Sequence, residues 1–364
     1  MSSQSSPIIP IQGIVKNYQW GSFTTLAAHR GEPTSSQPEA ELWFGDSPHG
    51  PALVTNSALT LDQVTREGGQ LPFLAKILAV EHALSLQVHP ARSDLASLAE
   101  VKRDDNHKPE MVVALTNFQA LVGFAPRTEI LNLIDQLDSA HAHELIGKPI
   151  RSGEKLTHVL DQILGVNDPS NILNEVLASS EKLDSLRRAW IHELIELYAP
   201  KLDPLALLLC NLIQLAPGES IYLPPRCIHA YLHGTAVEVM ANSDNVIRGG
   251  LTNKPIDKEN FLALVDERSD LALQITPESQ EGRRHWQPPI DDFSLSELYG
   301  SIDQHLHISD HSIAFAWHGD ARITSHNSEA LGVVVQADHG AFLAPGTYQV
   351  KGAGSVWVVS GKGR

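Results

Sequence analysis

Residues 127–199 constrain the fold most strongly, because their apolar side chains recur with the 3.6-residue period of an α-helix. One helical stripe contains Ile130, Leu131, Ile134 and Leu137. The stretches on both sides instead alternate apolar and polar residues, as strands with one buried face do. The chain is therefore predicted to be mainly β, with a helical insert between two strand-rich regions.

The region after residue 266 is predicted to be a separate, smaller β domain. Residues 311–317, 331–337 and 355–359 have the composition of antiparallel strands. Within this region a helical pattern is found only at residues 294–299. At 364 residues the chain is long enough for two or three domains.

Charge limits the kinds of partner. The formal charge is −16 at pH 7, which argues against nucleic acid or an anionic membrane as the main partner. The content of 42% hydrophobic and 19% charged residues is typical of a soluble globular protein. If the substrate is an anion, the field of the whole protein opposes its approach. Arginines and lysines inside a motif are therefore candidate binding residues.

The sequence contains no signal for export or membrane insertion. We expect no secretory signal peptide, because the first residues lack a basic segment followed by an apolar run. No uncharged apolar run reaches the roughly 18 residues of a transmembrane helix. Cys210 and Cys227 are the only cysteines, so we expect no disulfide framework and a cytoplasmic location.

Residues 84–90 form the most informative strand pattern. Leu84, Leu86 and Val88 share one face of the predicted strand. The other face carries Ser85, Gln87 and His89. The apolar stretches 71–80 and 111–115 are predicted to flank this strand and bury it. We therefore expect its polar face to line an enclosed cavity.

Two further residues join this strand as candidate metal ligands. Glu110 begins an apolar strand directly after Pro109, and His229 follows the bend formed by Pro224 and Pro225. Two imidazoles, a carboxylate and an amide suit a divalent cation such as Zn²⁺. Gln is an uncommon zinc ligand, so spacing alone leaves solvated strand ends as an equal alternative.

Several motifs occur in the order found in one known family. They are Tyr18-x-Trp20-Gly21-Ser22, Glu41-Leu42-Trp43-x-Gly45, Leu71-Pro72-Phe73-Leu74-x-Lys76, Leu84-Ser85-x-Gln87-Val88-His89-Pro90, Asp105-Asn106-His107-Lys108-Pro109-Glu110, Gly218-Glu219 through His229-Ala230-Tyr231, and Glu238 through Lys254. In these motifs the sequence resembles the type I mannose-6-phosphate isomerases (phosphomannose isomerases) of the cupin superfamily. The resemblance covers roughly residues 8–260. The pair Cys227-Ile228 departs from the more polar residues that many members have before this histidine.

The resemblance implies a fold with two cupin-like jelly-roll β domains and a helical domain. Residues 1–126 and 210–265 would form the catalytic jelly roll, residues 127–209 the helical insert, and residues 266–364 the second jelly roll. It implies one zinc ion per chain, held by Gln87, His89, Glu110 and His229. It also implies an intramolecular oxidoreductase that interconverts mannose 6-phosphate and fructose 6-phosphate. We expect a monomer, with an oligomer as the alternative.

The expected chemistry requires specific residue types. An aldose–ketose isomerisation moves a proton between C2 and C1 through an enediol, so it needs an acid and base and a fixed positive charge near the oxyanion. The resemblance makes Arg248 catalytic. Candidates for proton transfer are Lys108, Asp244 and His107. Candidates for substrate binding are Ser85, Lys254, Glu238, Tyr231 and Trp20.

Two alternatives keep the same pocket. A cupin oxygenase would use iron, but Lys108, Arg248 and Lys254 would then have no purpose. A sugar-phosphate sensor would keep the ligands and lose a chemical residue, and no such loss is found. A nucleotide-dependent enzyme is disfavoured, because the sequence has neither a G-x-x-x-x-G-K-[ST] loop nor a strand-linked G-x-G-x-x-G.

Overall fold

The computed structural model of the chain describes residues 7–326 and 328–362. Nineteen strands lie within these ranges: β1 (Ile8–Gln12), β2 (Ile14–Lys16), β3 (Glu41–Phe44), β4 (Leu53–Val54), β5 (Phe73–Val80), β6 (Leu86–Val88), β7 (Glu110–Ala114), β8 (Phe118–Phe124), β9 (Cys210–Leu215), β10 (Ser220–Leu223), β11 (His229–Ala241), β12 (Ile247–Gly250), β13 (Glu278–Gln280), β14 (Arg283–Trp286), β15 (Ser294–Ile308), β16 (Ser312–Ser325), β17 (Ser328–Gln336), β18 (His339–Leu343) and β19 (Gly346–Ser360).

Most of the helices lie in the middle of the chain. The helices are α1 (Thr25–His29), α2 (Leu61–Thr65), α3 (Arg127–Gln136), α4 (Ala140–Ala142), α5 (Lys148–Arg151), α6 (Leu156–Leu164), α7 (Ser170–Ser179), α8 (Ser185–Tyr198), α9 (Ala206–Leu209) and α10 (Lys258–Leu264). The predicted fold class, mainly β with a helical insert, is confirmed. Among the described residues, no helix is both long and apolar enough to cross a bilayer.

Strand β11 connects the two layers of the central β region. Its first half pairs with β6 and β8, and its second half, from Gly234 to Ala241, pairs with β5 and β7. One layer is thus β10-β7-β11-β5-β3-β2, and the other contains β12, β6, β11, β8 and β9. Gly234 lies at the transition with φ of 115°, where its missing Cβ avoids a clash with the Asn117 carbonyl.

Each layer has an apolar outer face that another part of the chain covers. The first layer packs Ile77, Val113 and Val237 against the C-terminal strands, which supply Phe315 and Trp357. The second layer packs side chains such as Leu86, Leu121 and Ile228 against the helices. Because both outer faces are covered, the polar side chains between the layers are enclosed.

The C-terminal region forms a nine-stranded antiparallel sheet, β13-β14-β15-β19-β16-β17-β18-β1-β4. Strand β1 belongs to this sheet, since Ile8 to Gln12 pair with Leu343 to His339. The N-terminal end of the chain is therefore fixed to its C-terminal region by backbone hydrogen bonds. The division into three domains stays a prediction.

Two local expectations are wrong. Residues 294–299 form part of strand β15, paired along its length with β19. Leu295 and Leu298 are buried in two different apolar clusters on opposite faces, which gives a helix-like spacing in a strand covered on both sides. Strand β6 also does not lie between residues 71–80 and 111–115, because β11 occupies that position.

Candidate metal centre and active-site cavity

His89, Glu110 and His229 converge between the two layers, and all three side chains are buried. Their ligating atoms lie within 4.8 Å of one another. Glu110 Oε1 is 3.2 Å from His89 Nε2, and Glu110 Oε2 is 3.4 Å from His229 Nε2. Three of the four predicted ligands are thus gathered about one point.

The strands explain this convergence. Glu110 is the first residue of β7 in one layer, and His229 is the first residue of β11 in the other. His89 directly follows β6, which pairs with β11 through Gln87 and His229. Since side chains alternate along a strand, these residues point into the space between the layers.

Backbone carbonyls fix both imidazole rings. His89 Nδ1 donates to the Asn245 carbonyl at 2.8 Å, and His229 Nδ1 donates to the Cys227 carbonyl at 2.9 Å. Each Nε2 therefore presents a lone pair towards the Glu110 carboxylate, which is itself an acceptor. A cation between these three acceptors satisfies all of them, so the donor set fits a divalent metal.

Gln87 lies at the edge of this cluster. Its Nε2 atom is 3.1 Å from His229 Nε2, and Ser85 Oγ is 3.4 Å from its Oε1. A half-turn of the amide exchanges the nitrogen and oxygen positions. The amide oxygen can then face the same point as the imidazoles, so Gln87 fits the role of fourth ligand.

Burial and neighbouring charge set the protonation state of the cluster. Burial and the Lys108 ammonium lower the pKa of His89 to about 4. Burial alone would raise the pKa of Glu110, but Lys108 and His89 hold it well below its ordinary value. Lys108 Nζ lies 2.8 Å from Glu110 Oε1. A neutral imidazole beside an ionised carboxylate is the state that binds a metal.

A cavity of about 840 Å³ opens from this cluster. The predicted site residues that line it are Trp20, Ser85, Gln87, Lys108, Glu110, Tyr231, Glu238, Asp244, Arg248 and Lys254. Arg248 in β12 pairs with Gln87 in β6, which pairs with His229 in β11. These three residues form one row across the layer, so Arg248 is close to the metal centre.

Arg248 and Lys254 bring positive charge to this acidic protein. Burial and the nearby Arg103 lower the pKa of Arg248, and burial and Arg248 lower the pKa of Lys254. In the part of the chain that the structure describes, neither side chain has a carboxylate within ion-pair distance. Lys254 Nζ lies 5.4 Å from the centre of the Tyr18 ring. Two cations in a cavity that make no direct ion pair within the described part of the chain fit an anionic ligand.

Asp244 is also at the cavity but is already paired. Its Oδ2 atom lies 3.1 Å from Arg103 Nη1. Arg103 was not among the predicted site residues. Arg103 belongs to the polar run of residues 102–108, which could have indicated it, but only His107 and Lys108 of this run were predicted to have a role.

The structure places His107 away from the cavity. Its Nε2 atom lies 2.9 Å from Asp292 Oδ1 in the C-terminal region. Lys108 and Glu110 face the cavity. Side chains alternate in an extended segment, so His107, which directly precedes Lys108, points to the other side. The candidate role of His107 in proton transfer therefore lacks a geometric basis.

A buried ion pair at the cavity wall was not predicted. Lys76 Nζ lies 2.9 Å from Glu238 Oε2 and 3.8 Å from Glu41 Oε2. Trp43 Nε1 donates a hydrogen bond to Glu41 and its ring lies under the Lys76 ammonium, 5.0 Å from its centre. Lys76 is the only charged residue in the apolar stretch 71–80, which is the signal that could have revealed it.

Fold and site together define a class: a β-sandwich enzyme with a candidate divalent-metal centre in a cationic cavity. Residues 8–127 match the family model of the phosphomannose isomerase type I catalytic domain. The mannose-6-phosphate isomerase of Escherichia coli is 35% identical over 349 residues, which span 85% of this chain and 88% of that protein. The chain belongs to the type I mannose-6-phosphate isomerase family and is an isomerase.

Solved structures extend the similarity to nearly the whole chain. The apo form of mannose 6-phosphate isomerase from Salmonella typhimurium has a TM-score of 0.86 and 28% identity, covering 98% of this chain and 100% of that one. A mannose 6-phosphate isomerase bound with zinc and yttrium has the same TM-score of 0.86 and 28% identity. The C-terminal region, where the sequence resemblance is poor, is thus part of the shared fold.

Proposed function

We propose that the chain is a zinc-dependent aldose–ketose isomerase that interconverts mannose 6-phosphate and fructose 6-phosphate. One observation carries the proposal: Glu110, which belongs to the buried cluster with His89 and His229, lines the same cavity as Arg248 and Lys254. A metal that binds sugar oxygens and cations that bind a phosphate are both needed for this substrate. The 35% identical isomerase of Escherichia coli supports the choice of sugar.

Zinc would be held by His89, Glu110 and His229, with Gln87 as the fourth ligand. When bound, zinc supplies a Lewis acid that polarises the oxygens at C1 and C2 of the open-chain sugar. The zinc-bound structural relative supports this metal. The chain itself supplies the walls of the cavity, and apolar packing covers the outer faces of both layers of the sandwich.

The proton must move between C2 and C1 within this cavity. Of the three predicted candidates, Lys108 and Asp244 line the cavity, and His107 does not. We assign proton transfer to Lys108 and Asp244. Lys108 contacts Glu110 of the candidate metal cluster, and Asp244 lies beside Arg103. Arg248 stabilises the negative charge that develops on the enediolate oxygen, since it lies in the same row as Gln87.

The phosphate group would bind at Lys254, with Arg248 as its neighbour. Trp20 and Tyr231 provide apolar surface for the sugar, and Glu238 accepts from Lys76 and orients groups on the wall. Ser85 lies near Gln87 at 3.4 Å, so we place it near the reacting end of the sugar.

The test is a coupled assay for fructose 6-phosphate formed from mannose 6-phosphate, with metal analysis of the same sample. We expect turnover, one zinc per chain, and loss of turnover after chelation that added zinc restores. Zinc-loaded protein without turnover would contradict the isomerase proposal. Binding of the sugar phosphate without turnover would favour a sensor.

A monomer and a cytoplasmic location belong to the same proposal. Cys210 and Cys227 are both free and buried, as suits a reducing compartment. Size-exclusion chromatography with light scattering checks the monomer. A mass of twice the 39.7 kDa chain would contradict it.

A further inference from the structure

The loop before His229 contains a residue in an unusual backbone conformation. Arg226 has φ of 69°, in the left-handed region that arginine rarely adopts. The Cys227 N–H donates to the Pro224 carbonyl at 3.3 Å, so residues 224–227 form a turn. Proline followed by a residue with positive φ is the pattern of a type II turn, in which glycine or asparagine is usual at the position of Arg226. Arginine here needs a compensating interaction.

One compensation is a backbone hydrogen bond to a metal-ligand residue. The Arg226 N–H donates to the His89 carbonyl at 2.7 Å. This bond depends on the direction of the Arg226 N–H, which the turn fixes. The turn that leads into His229 is thus attached directly to His89.

The second compensation is an ion pair with the loop after His89. Arg226 Nε donates to Asp94 Oδ2 at 2.9 Å, and Arg226 Nη2 contacts Asp94 Oδ1. Such a two-pronged pair has a fixed geometry. The Asp94 side chain is only 9% exposed and also accepts from the Ala91 N–H at 2.8 Å. Asp94 is therefore fixed to the segment that follows His89 and Pro90.

We propose that Arg226 is a positioning residue that fastens the segment of His89 to the segment of His229 and so preorganises the metal centre. The two histidines come from distant parts of the chain. Arg226 lies in the turn before His229, and its described contacts reach the His89 carbonyl and Asp94 in the loop after His89. Without this joint the two Nε2 atoms lose part of their fixed separation, and metal release becomes faster. The inference rests on the proposed zinc centre.

Arg226→Gly is the direct test, because glycine keeps the positive φ without strain while the whole side chain, with its guanidinium, is removed. Asp94→Asn removes the partner from the other loop, so the test does not depend on one variant folding. Arg151→Ala is the matched control, since Arg151 is about as exposed as Arg226 and also pairs with an aspartate, Asp135, but this pair lies within the helical insert. The rate of zinc transfer from each full-length protein to an excess of a coloured chelator is measured.

We expect zinc release about 10-fold faster in Arg226→Gly and Asp94→Asn than in the wild type and in Arg151→Ala. The double variant should release zinc no faster than the single variants, because both act on one joint. Arg226→Lys should release zinc at an intermediate rate, since lysine keeps the positive charge but lacks the two-pronged geometry.

Equal release rates in wild type and both single variants would overturn the positioning role, even if the variants had lower melting temperatures. Wild-type protein that binds no zinc would instead overturn the zinc centre and, with it, this inference. A melting curve of each metal-free variant separates loss of general stability from loss of metal retention.

Discussion

The central β region and the C-terminal sheet are both antiparallel, but they differ in the side chains that they bury. Between the layers of the central region lie buried ionisable groups, among them His89, Glu110 and His229. One buried face of the C-terminal sheet consists almost wholly of aliphatic residues, such as Ile302, Ile323 and Val350. Burying charge costs free energy unless partners compensate for it. The proposed function therefore depends on the inward-facing polar residues and not on the β architecture.

The largest effect is expected from replacing Glu110, a buried glutamate of the central region. Glu110→Gln removes the charge that faces both imidazoles, so zinc should be lost and isomerase activity should fall at least about 1,000-fold. Glu297→Gln is the matched control, because Glu297 is also buried but accepts from Ser355 Oγ at 2.8 Å in the C-terminal sheet. Metal analysis and steady-state kinetics check both. Full zinc content in Glu110→Gln would remove Glu110 from the ligands.

The second effect concerns stability. Lys76→Met leaves Glu238 buried beside Glu41 without its cation, so the free energy of unfolding should fall by about 3–5 kcal/mol. Ile323→Ala in the apolar core should cost about 2–5 kcal/mol by leaving a cavity. Urea denaturation measures both. Glu238→Gln should recover stability in the Lys76→Met background and not in the Ile323→Ala background, and recovery in neither would contradict the charge argument.

A third, smaller effect is expected on catalysis alone. Arg248→Ala should lower kcat about 100-fold, because it removes a cation from the developing oxyanion. Zinc content should stay unchanged. Arg284→Ala provides the comparison in the C-terminal region, where Arg284 faces Glu297 at 3.4 Å, and should leave kcat unaltered. Loss of zinc from Arg248→Ala would assign Arg248 to the metal site instead.

The smallest effect is a pH dependence. Burial alone would raise the pKa of Asp94, but hydrogen bonds from Arg226 and the Ala91 N–H outweigh it and lower the pKa. Stability from a lowered pKa is present above the unfolded value, about 3.9, and is lost as pH falls through the folded value. The melting temperature of Asp94→Asn should therefore be below the wild-type value at neutral pH, and the gap should close below about pH 4.

Asp303→Asn in the C-terminal sheet is the control for that pH series. Asp303 is exposed and lies 3.9 Å from Lys351, so the pair should contribute little. Its melting temperature should follow the wild type throughout. A gap for Asp94→Asn that does not change with pH would show that the ion pair is not its cause.

Much of the site could be predicted from sequence because the ligands lie in short, regular strands. The alternation in residues 84–90 assigns Gln87 and His89 to the polar face. In the structure His89 belongs to the candidate metal cluster, and Gln87 contacts His229 of that cluster. His107 could not be separated from Lys108 in the same way. The choice depends on which side of residues 107–110 faces the cavity, and Asp292, 185 residues away in sequence, holds His107 on the other side.

The mainly β fold and the helical insert follow from the sequence alone, because the hydrophobic period is a local property, and the family motifs add the candidate ligands. The tertiary structure decided that β11 lies between β5 and β7, that β1 joins the C-terminal sheet, and that Arg226 meets Asp94. Strands pair through backbone N–H and C=O groups, which nearly all residues have, so the sequence of one strand does not show which other strand it pairs with. The order of the strands is selected only when the apolar side chains on both faces of each sheet are packed at the same time.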